Sequence, residues 1–371
     1  METVLSIGIP VYNVKEEYFK ACLERVLNIQ SAQIEVLVID DCSTDKRVDT
    51  CRQYAMGDGR VKWVRLEKNE GVSAVRNRMI AMAKGKWMFF LDADDLLCDG
   101  FVDSILQADL PEADMIYYDY RLIEAAKEPN VQSIPAPYIA AGEHQVKRLC
   151  VCHLCALPSR TEQMNLSATA TMKLFRRQFL LEHQLRFIEK LEMAEDRLFL
   201  VDVLSCRPRV FFSTQIAYLY RVYPGSVSRR YNDRIPDMTD RYLAYGEERI
   251  QRIFGGEKTV QTLYLENHVT TAILNNMELD IFHRDNPNSR SERKRRFAAL
   301  LEKEPYQSAI EAAVIKNCIL REKRILLHYV RKRSFFMVQL LCRHRFLLRL
   351  YSTCWNRWEK QIARIRGVFE K

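Results

Sequence analysis

The sequence contains no run of about 18 apolar residues, so no segment reads as a transmembrane helix. Its N-terminus lacks both a basic leader and a cleavable apolar stretch: Val4–Pro10 is short and ends in a turn, which predicts a chain without a secretion signal, in the cytosol. Disulfide spacing is missing too. The 11 cysteines are an odd number, scattered through helix-like and strand-like patterns (Cys22, Cys51, Cys206, Cys318), as suits reduced thiols. No internal repeat is found, and there is no glycine-rich nucleotide loop. What is present is ordinary globular composition, 48% hydrophobic and 28% charged over 371 residues, enough for two domains or one large one with an extension.

The positive charge is concentrated at one end. Residues 321–371 hold 14 Lys and Arg against 3 acids, out of 57 and 48 in the whole chain, so the remainder is close to neutral. Such asymmetry predicts an anionic surface met by the tail.

Strand and helix signals alternate over the first 120 residues. Val4–Pro10, Glu35–Asp40, Val61–Leu66, Trp87–Leu91 and Met115–Tyr120 are short, apolar and β-rich. Glu16–Ile29, Lys46–Met56 and Gly71–Ala83 have helical spacing. Short connections between them predict an α/β fold, a mainly parallel sheet with helices on both faces and ligands at the carboxyl ends of its strands. Those ends carry Tyr12-Asn13, Asp40-Asp41 and Asp92-Ala93-Asp94-Asp95. Any one cluster reads as turn formers and caps. Three on one edge of a sheet repel one another unless a cation or hydrogen-bond donors compensate them. Further on, Ala168–Arg176 and Val210–Val222 read as strands, Gln178–Gln184 and Ala194–Leu204 as helices. Beyond Pro236 the chain reads as helix (Asp237–Ile253, Val260–Ile281, Phe297–Leu320), broken by the polar stretch Arg284–Arg296.

SIGIPVYN (Ser6–Asn13), EVLVIDDCSTD (Glu35–Asp45), NEGVSAVRN (Asn69–Asn77), GKWMFFLDADD (Gly85–Asp95) and AEDRLF (Ala194–Phe199) follow in that order. Together they resemble the family 2 glycosyltransferases, inverting enzymes of the GT-A (Rossmann-like) fold that use nucleotide-sugar donors. The resemblance covers residues 1–230 and implies a catalytic domain there; beyond it no motif is matched, and the residues themselves read as an α-helical extension over 231–320 and a basic amphipathic tail over 321–371. It implies Asp92 and Asp94 as a DxD site for Mn2+ or Mg2+, with Asp94 the direct ligand and Asp92 also a ribose or outer partner. A divalent cation there neutralises charge building on a diphosphate leaving group. An acid after the second strand, Asp41 with Asp40 beside it, would accept a hydrogen bond from a uracil imide. Pro10, Tyr12 and Asn13 complete the donor-binding set; Tyr12 reads equally as a base-stacking or a packing aromatic. Arg76 reads as a contact to phosphate or sugar, or as a structural partner of the aspartates. Asp196 of the Glu195-Asp196 pair is the implied general base, favoured in its ionised form at a helix N-terminus. Asp95 reads as a helix cap. Arg229 and Arg230 are candidate diphosphate clamps.

Two features are set aside. The Cys150, Cys152, His153, Cys155 cluster, with His144, lacks a second ligand pair and reads as a buried helix rather than a zinc site. Cys354–Trp358 (CWNRW) has Cys where the processive members have Gln, and reads as a chance match, which favours single-sugar transfer over polymerisation. In the tail, basic residues interleave with aromatic and aliphatic ones, as in a helix lying on an anionic membrane; packing on the catalytic domain is the alternative. No nucleic-acid-binding motif is present. The expected protein is therefore a peripheral enzyme on the inner face of the membrane, moving one sugar from a UDP-sugar to a glycan or lipid-linked acceptor in surface polysaccharide synthesis. A nucleotidyltransferase acting on a sugar phosphate and a non-catalytic membrane-associated scaffold are the other classes considered.

Overall fold

The computed structural model describes residues 3–45, 47–124, 131–157, 166–223, 230–312 and 321–343. The chain divides into two compact units, Met1–Leu154 with Pro158–Ser226, and Cys155–Leu157 with Val227–Lys371.

The first unit opens with alternating elements: β1 (Leu5–Val11), α1 (Glu16–Leu27), β2 (Ile34–Asp40), α2 (Arg47–Ala55), β3 (Val61–Arg65), α3 (Val72–Met82) and β4 (Trp87–Phe90). There follow β5 (Leu96–Leu97), α4 (Phe101–Gln107), β6 (Met115–Glu124), β7 (Ile139–Ala140), α5 (Glu143–Leu154), β8 (Lys173–Arg176), α6 (Arg177–Glu182), α7 (Glu195–Ser205) and β9 (Val210–Val222). The strands join in one sheet of order β3-β2-β1-β4-β8-β6-β9-β5, with β7 also on β9.

The first four strands of that order are mutually parallel. Near-continuous burial of β1, β2 and β4 explains their unbroken apolar runs, while β3 at the end of the sheet is only partly buried. The sheet as a whole is mixed rather than mainly parallel. Met115–Glu124 does not pair with β4; instead β8 inserts between them, antiparallel to both.

Close approach fixes one glycine. A Cβ on Gly85, at the entry to β4, would lie 2.6 Å from the Ser6 amide nitrogen.

The second unit is helical: α8 (Ile235–Phe254), α9 (Lys258–Leu263), α10 (Thr270–Asn275), α11 (Arg290–Glu302), α12 (Tyr306–Ala312), α13 (Arg321–Arg331) and α14 (Phe335–Arg343). The segment expected as one helix over Val260–Ile281 is interrupted by π-helical turns at Tyr264–Val269 and Asn276–Ile281. The helix expected over Phe297–Leu320 stops at Glu302 and restarts at Tyr306, because Pro305 lacks an amide hydrogen and constrains the residue before it; residues 313–320 lie outside the described residues. Among the described residues no helix is long and apolar enough to cross a membrane.

Candidate active site

Strands β1, β2 and β4 run in parallel, so residues 12–13, 40–41 and 92–95 gather at one edge. Each cluster is held by contacts of its own. Asn13, with a left-handed backbone (φ 46°), accepts through Oδ1 from the amides of Thr44 and Asp45 and from the Thr44 hydroxyl. Its own amide donates to Ser43 Oγ. It shapes the loop after β2. Pro10 lies within β1 opposite Ile39. Tyr12 is 51% exposed, an unusual state for a tyrosine beside a buried strand and one that leaves its ring face available.

Asp40 and Asp41 are both buried. Asp40 accepts from the Ser43 amide at 2.9 Å and lies 3.5 Å from Arg65 Nε. Asp41 accepts the Glu70 and Gly71 amides, one on each oxygen, at 2.7 and 2.8 Å. Asp41 therefore fixes the turn that starts α3. Its oxygens keep unused lone pairs, since a carboxylate accepts about four hydrogen bonds.

The turn after β4 is tied to β9. Asp95 does not cap a helix, as the sequence suggested: its carboxylate accepts from the Tyr218 hydroxyl at 2.7 Å and from the Arg221 amide at 2.7 Å. The next helix, α4, has Gly100 at its cap position instead. Burial, with Asp92 and Asp94 close by, pushes Asp95 up to about 8. The Asp92 amide donates to the same Tyr218 hydroxyl at 3.1 Å, and Arg221 Nε donates to the Asp94 carbonyl at 2.9 Å. Asp94 accepts on Oδ2 from the Tyr223 hydroxyl at 3.0 Å.

The centre of the cluster is Arg76, on α3. It is 4% exposed, and its guanidinium lies 2.5 Å from Asp196, 3.1 Å from Asp92 and 3.7 Å from Glu195. Its guanidinium carbon lies over the Phe187 and Phe90 rings, 5.4 and 6.0 Å from their centres. Burial opposes its charge, but the three carboxylates outweigh that and raise its pKa. Arg76 is thus the shared ion-pair partner of Asp92, Glu195 and Asp196. Asp196 lies in the first turn of α7, entered through Ala194 in a left-handed conformation. Its second oxygen accepts the Ala170 amide at 2.9 Å. Burial, reinforced by Asp196 and opposed by Arg76, raises Glu195 to about 7. Burial likewise raises Asp92 to about 6, with Arg76 opposing and Asp196 and Asp94 adding to it.

Asp92 and Asp94 together suit a divalent cation of the Mg2+ type, which takes one or two carboxylates and fills its other positions with phosphate and water. Among the described residues no group of three or more His, Cys, Asp or Glu is arranged to enclose a metal by itself. A cation held by these two side chains would need a ligand's phosphates or water at its other positions.

Several neighbours escaped the sequence reading. Tyr218, Arg221 and Tyr223 have no local signal, because β9 meets the aspartates across more than 120 residues of chain. Lys173, on β8, is fully buried; it donates to the Thr169 and Thr171 carbonyls at 2.7 and 3.1 Å and sits 4.6 Å over the Tyr117 ring. Burial pulls it down to about 7, against the opposing charge of Asp196. A lysine inside an apolar strand pattern was the available clue. His153, on α5, is buried 3.2 Å from the Tyr117 hydroxyl, with Cys150 and Cys152 buried on the same helix. Arg230 is exposed, and Arg229 lies outside the described residues.

Several known proteins are similar to this chain. The sequence profile of Glycosyl transferase family 2 matches residues 6–160. The putative glycosyltransferase EpsH of Bacillus subtilis is 29% identical over 63% of this chain and 66% of its own length. The succinoglycan biosynthesis protein ExoO of Rhizobium meliloti is 29% identical over 60% and 61%. The chain thus spans less than two thirds of either relative. The crystal structure of S. aureus TarS 1-349 in complex with UDP-GlcNAc superposes with a TM-score of 0.59 at 21% identity, covering 93% of this chain and 92% of that one, which shows a shared GT-A fold. Residues 6–160 are thus similar to glycosyl transferase family 2.

Proposed function

We propose that the protein is an inverting glycosyltransferase that moves a single sugar from a UDP-sugar to a hydroxyl of a glycan or lipid-linked acceptor in surface polysaccharide synthesis. The observation that carries this is the bridge through Arg76. One guanidinium holds Asp92, at the end of β4, and Asp196, at the start of α7. A carboxylate suited to the diphosphate side and one suited to the acceptor side are thereby fixed together. The family, the polysaccharide context in the name of ExoO and the UDP-GlcNAc in the TarS complex support the donor and acceptor classes.

In this reading Asp196 accepts the proton of the acceptor hydroxyl. That oxygen forms a bond to the anomeric carbon from the side opposite the leaving group, and the carbon–oxygen bond to UDP breaks with its electron pair going to the diphosphate. Arg76 keeps Asp196 oriented. Glu195, more basic than an ordinary carboxyl group, is placed to share the proton. Tyr12 stacks on the base, and Asp41 accepts from the uracil imide. Mn2+ or Mg2+, when bound at Asp92 and Asp94, neutralises negative charge on the diphosphate. A lipid-linked acceptor and the basic tail place the enzyme peripherally on the cytoplasmic face of a membrane; residues 344–371 lie outside the described residues.

Thermal unfolding with UDP, GDP, CDP and ATP, each with and without Mn2+, tests the reading on the wild type and Asp94→Asn. A ligand at about 100 times its Kd adds roughly 2.7 kcal/mol of stability. The expected result is stabilisation by UDP with Mn2+ that Asp94→Asn abolishes. Stabilisation by ATP alone overturns it in favour of nucleotidyl transfer, and no response to any nucleotide removes the catalytic assignment.

A further inference from the structure

The helical unit contains a group of cations with no visible anion. A cleft of about 380 Å³ is lined by Arg290 and Arg293 of α11 and by Phe336, Gln339, Leu340 and Arg343 of α14. No acid lines it. Among the described residues none of the three arginines has an ion-pair partner, whereas Arg295 and Arg296 of the same helix are paired with Glu292 and Asp280. The Nε and Nη1 atoms of Arg293 are closed off from solvent without any hydrogen-bond partner. Buried donors of a charged group are ordinarily satisfied, and one left unpaired marks an absent ligand or ion.

Electrostatics gives the same answer independently. Arg290 and Arg293 occupy the first turn of a 13-residue helix, where backbone amides already present partial positive charge. A cation is disfavoured there, and Arg343 adds a third. Burial, together with Arg343 and Arg290, lowers the pKa of Arg293. An anion with several acceptor oxygens resolves the repulsion and fills the unpaired donors at once. The other wall carries an unusual feature: Phe336 is 61% exposed beside these charges. An aromatic ring next to arginines at a phosphate level is the arrangement of a protein seated at a bilayer interface.

We propose that Arg290, Arg293 and Arg343 form a phosphate-binding cleft that receives the headgroup of an anionic phospholipid, with Phe336 entering the apolar layer beneath it. The proposal deepens the peripheral-membrane reading above by giving it a defined site, and it does not depend on sugar transfer.

The test is flotation of the full chain with vesicles of phosphatidylglycerol in phosphatidylcholine, against vesicles of phosphatidylcholine alone, without any nucleotide. Arg290→Gln/Arg293→Gln is compared with Arg284→Gln/Lys294→Gln, which removes the same charge outside the cleft. Each basic contact at such a surface is worth about a fivefold factor, so the cleft variant should bind roughly thirtyfold more weakly. The control should change much less, and Phe336→Ser should weaken vesicle binding while leaving the circular dichroism spectrum unchanged. Equal losses in both double variants would reduce the effect to general attraction and overturn the site. Stabilisation by millimolar inorganic phosphate, with vesicle binding untouched by Phe336→Ser, would assign the cleft to a soluble phosphate instead and overturn the lipid. The UDP response, read in parallel, separates failure here from failure of the catalytic assignment.

Discussion

Replacing Arg76 by Met removes the guanidinium shared by Asp92, Glu195 and Asp196. At separations of 2.5, 3.1 and 3.7 Å and an effective dielectric near 20, each attraction is of order 5 kcal/mol before the desolvation of the four groups is counted. Net costs of breaking a buried pair from one side are about 3–5 kcal/mol. A second limit applies, because a stranded carboxylate can take up a proton. Keeping a group protonated at pH 8 when its unfolded pKa is near 4 costs about 5 kcal/mol, and at pH 5 only about 1.4 kcal/mol. The variant's native state would then hold a proton that its unfolded state releases, so its stability falls as pH rises. The expected outcome in urea unfolding is a loss of about 3–5 kcal/mol at pH 8, shrinking to about 1–2 kcal/mol at pH 5. Arg76→Lys, whose ammonium cannot bridge the same three partners, should fall between. A loss below about 1 kcal/mol, or one equal at both pH values, would refute the view that the three carboxylates depend on this one cation.

Lys173→Met should change the pH dependence of stability in a different direction. In the wild type the lysine's pKa is depressed to about 7 from 10.5, so between those values the unfolded chain binds more protons and stability rises with pH, by an amount on the order of 5 kcal/mol in full; the variant should lose that rise, and an unchanged slope in urea titrations at pH 7 and 10 would show the lysine to be solvated. Gly85→Ala should lower the thermal midpoint more than Gly8→Ala. The added Cβ meets the Ser6 backbone nitrogen at 2.6 Å in the first case, but the flexible ends of Met88 and Met79 at 2.5 and 2.9 Å in the second, and overpacking against unyielding atoms costs about 1–3 kcal/mol or more; the reverse order would mean that the backbone between β1 and β4 yields more readily than the methionines.

The parallel half of the sheet was legible because burial on both faces writes itself as short apolar runs, and polar residues at their ends stand out against them. The carboxylate clusters 40–41 and 92–95 were found that way. What joins them was not. Arg76 meets Asp196 across 120 residues, and nothing local distinguishes it from Arg78, which is half-exposed and paired with Glu70. Asp95 looked like a helix cap since the acids of DADD are alike in sequence; only the arrival of β9, with the Tyr218 hydroxyl and the Arg221 amide, sets it apart. In the helical unit the polar stretch Arg284–Arg296 looked like a break, yet α11 begins inside it, capped by the Ser289 hydroxyl on the Glu292 amide. The π-helical turns were invisible for a similar reason, because the apolar spacing of Val260–Ile281 fits a continuous helix.

The arrangement also explains why three adjacent aspartates can coexist at the end of a buried strand. Asp95 is set apart from the other two: it is buried against Tyr218, and burial raises it to about 8. Asp92 is compensated by Arg76, but that guanidinium is shared with Glu195 and Asp196, so three carboxylates face one cation. Full ionisation leaves negative charge in excess around Arg76, and the upward shifts of Asp92 and Glu195 follow from burial first and from their carboxylate neighbours second. Such a site has two ways to restore balance. It can take up a proton at Glu195, close to where an acceptor hydroxyl would release one, or it can draw a divalent cation to Asp92 and Asp94, close to where a diphosphate would need one. Raising the cation concentration should therefore release a proton from the apo protein, and a pH-stat titration with Mg2+ that shows no proton release near pH 6.5 would separate the two halves of the site.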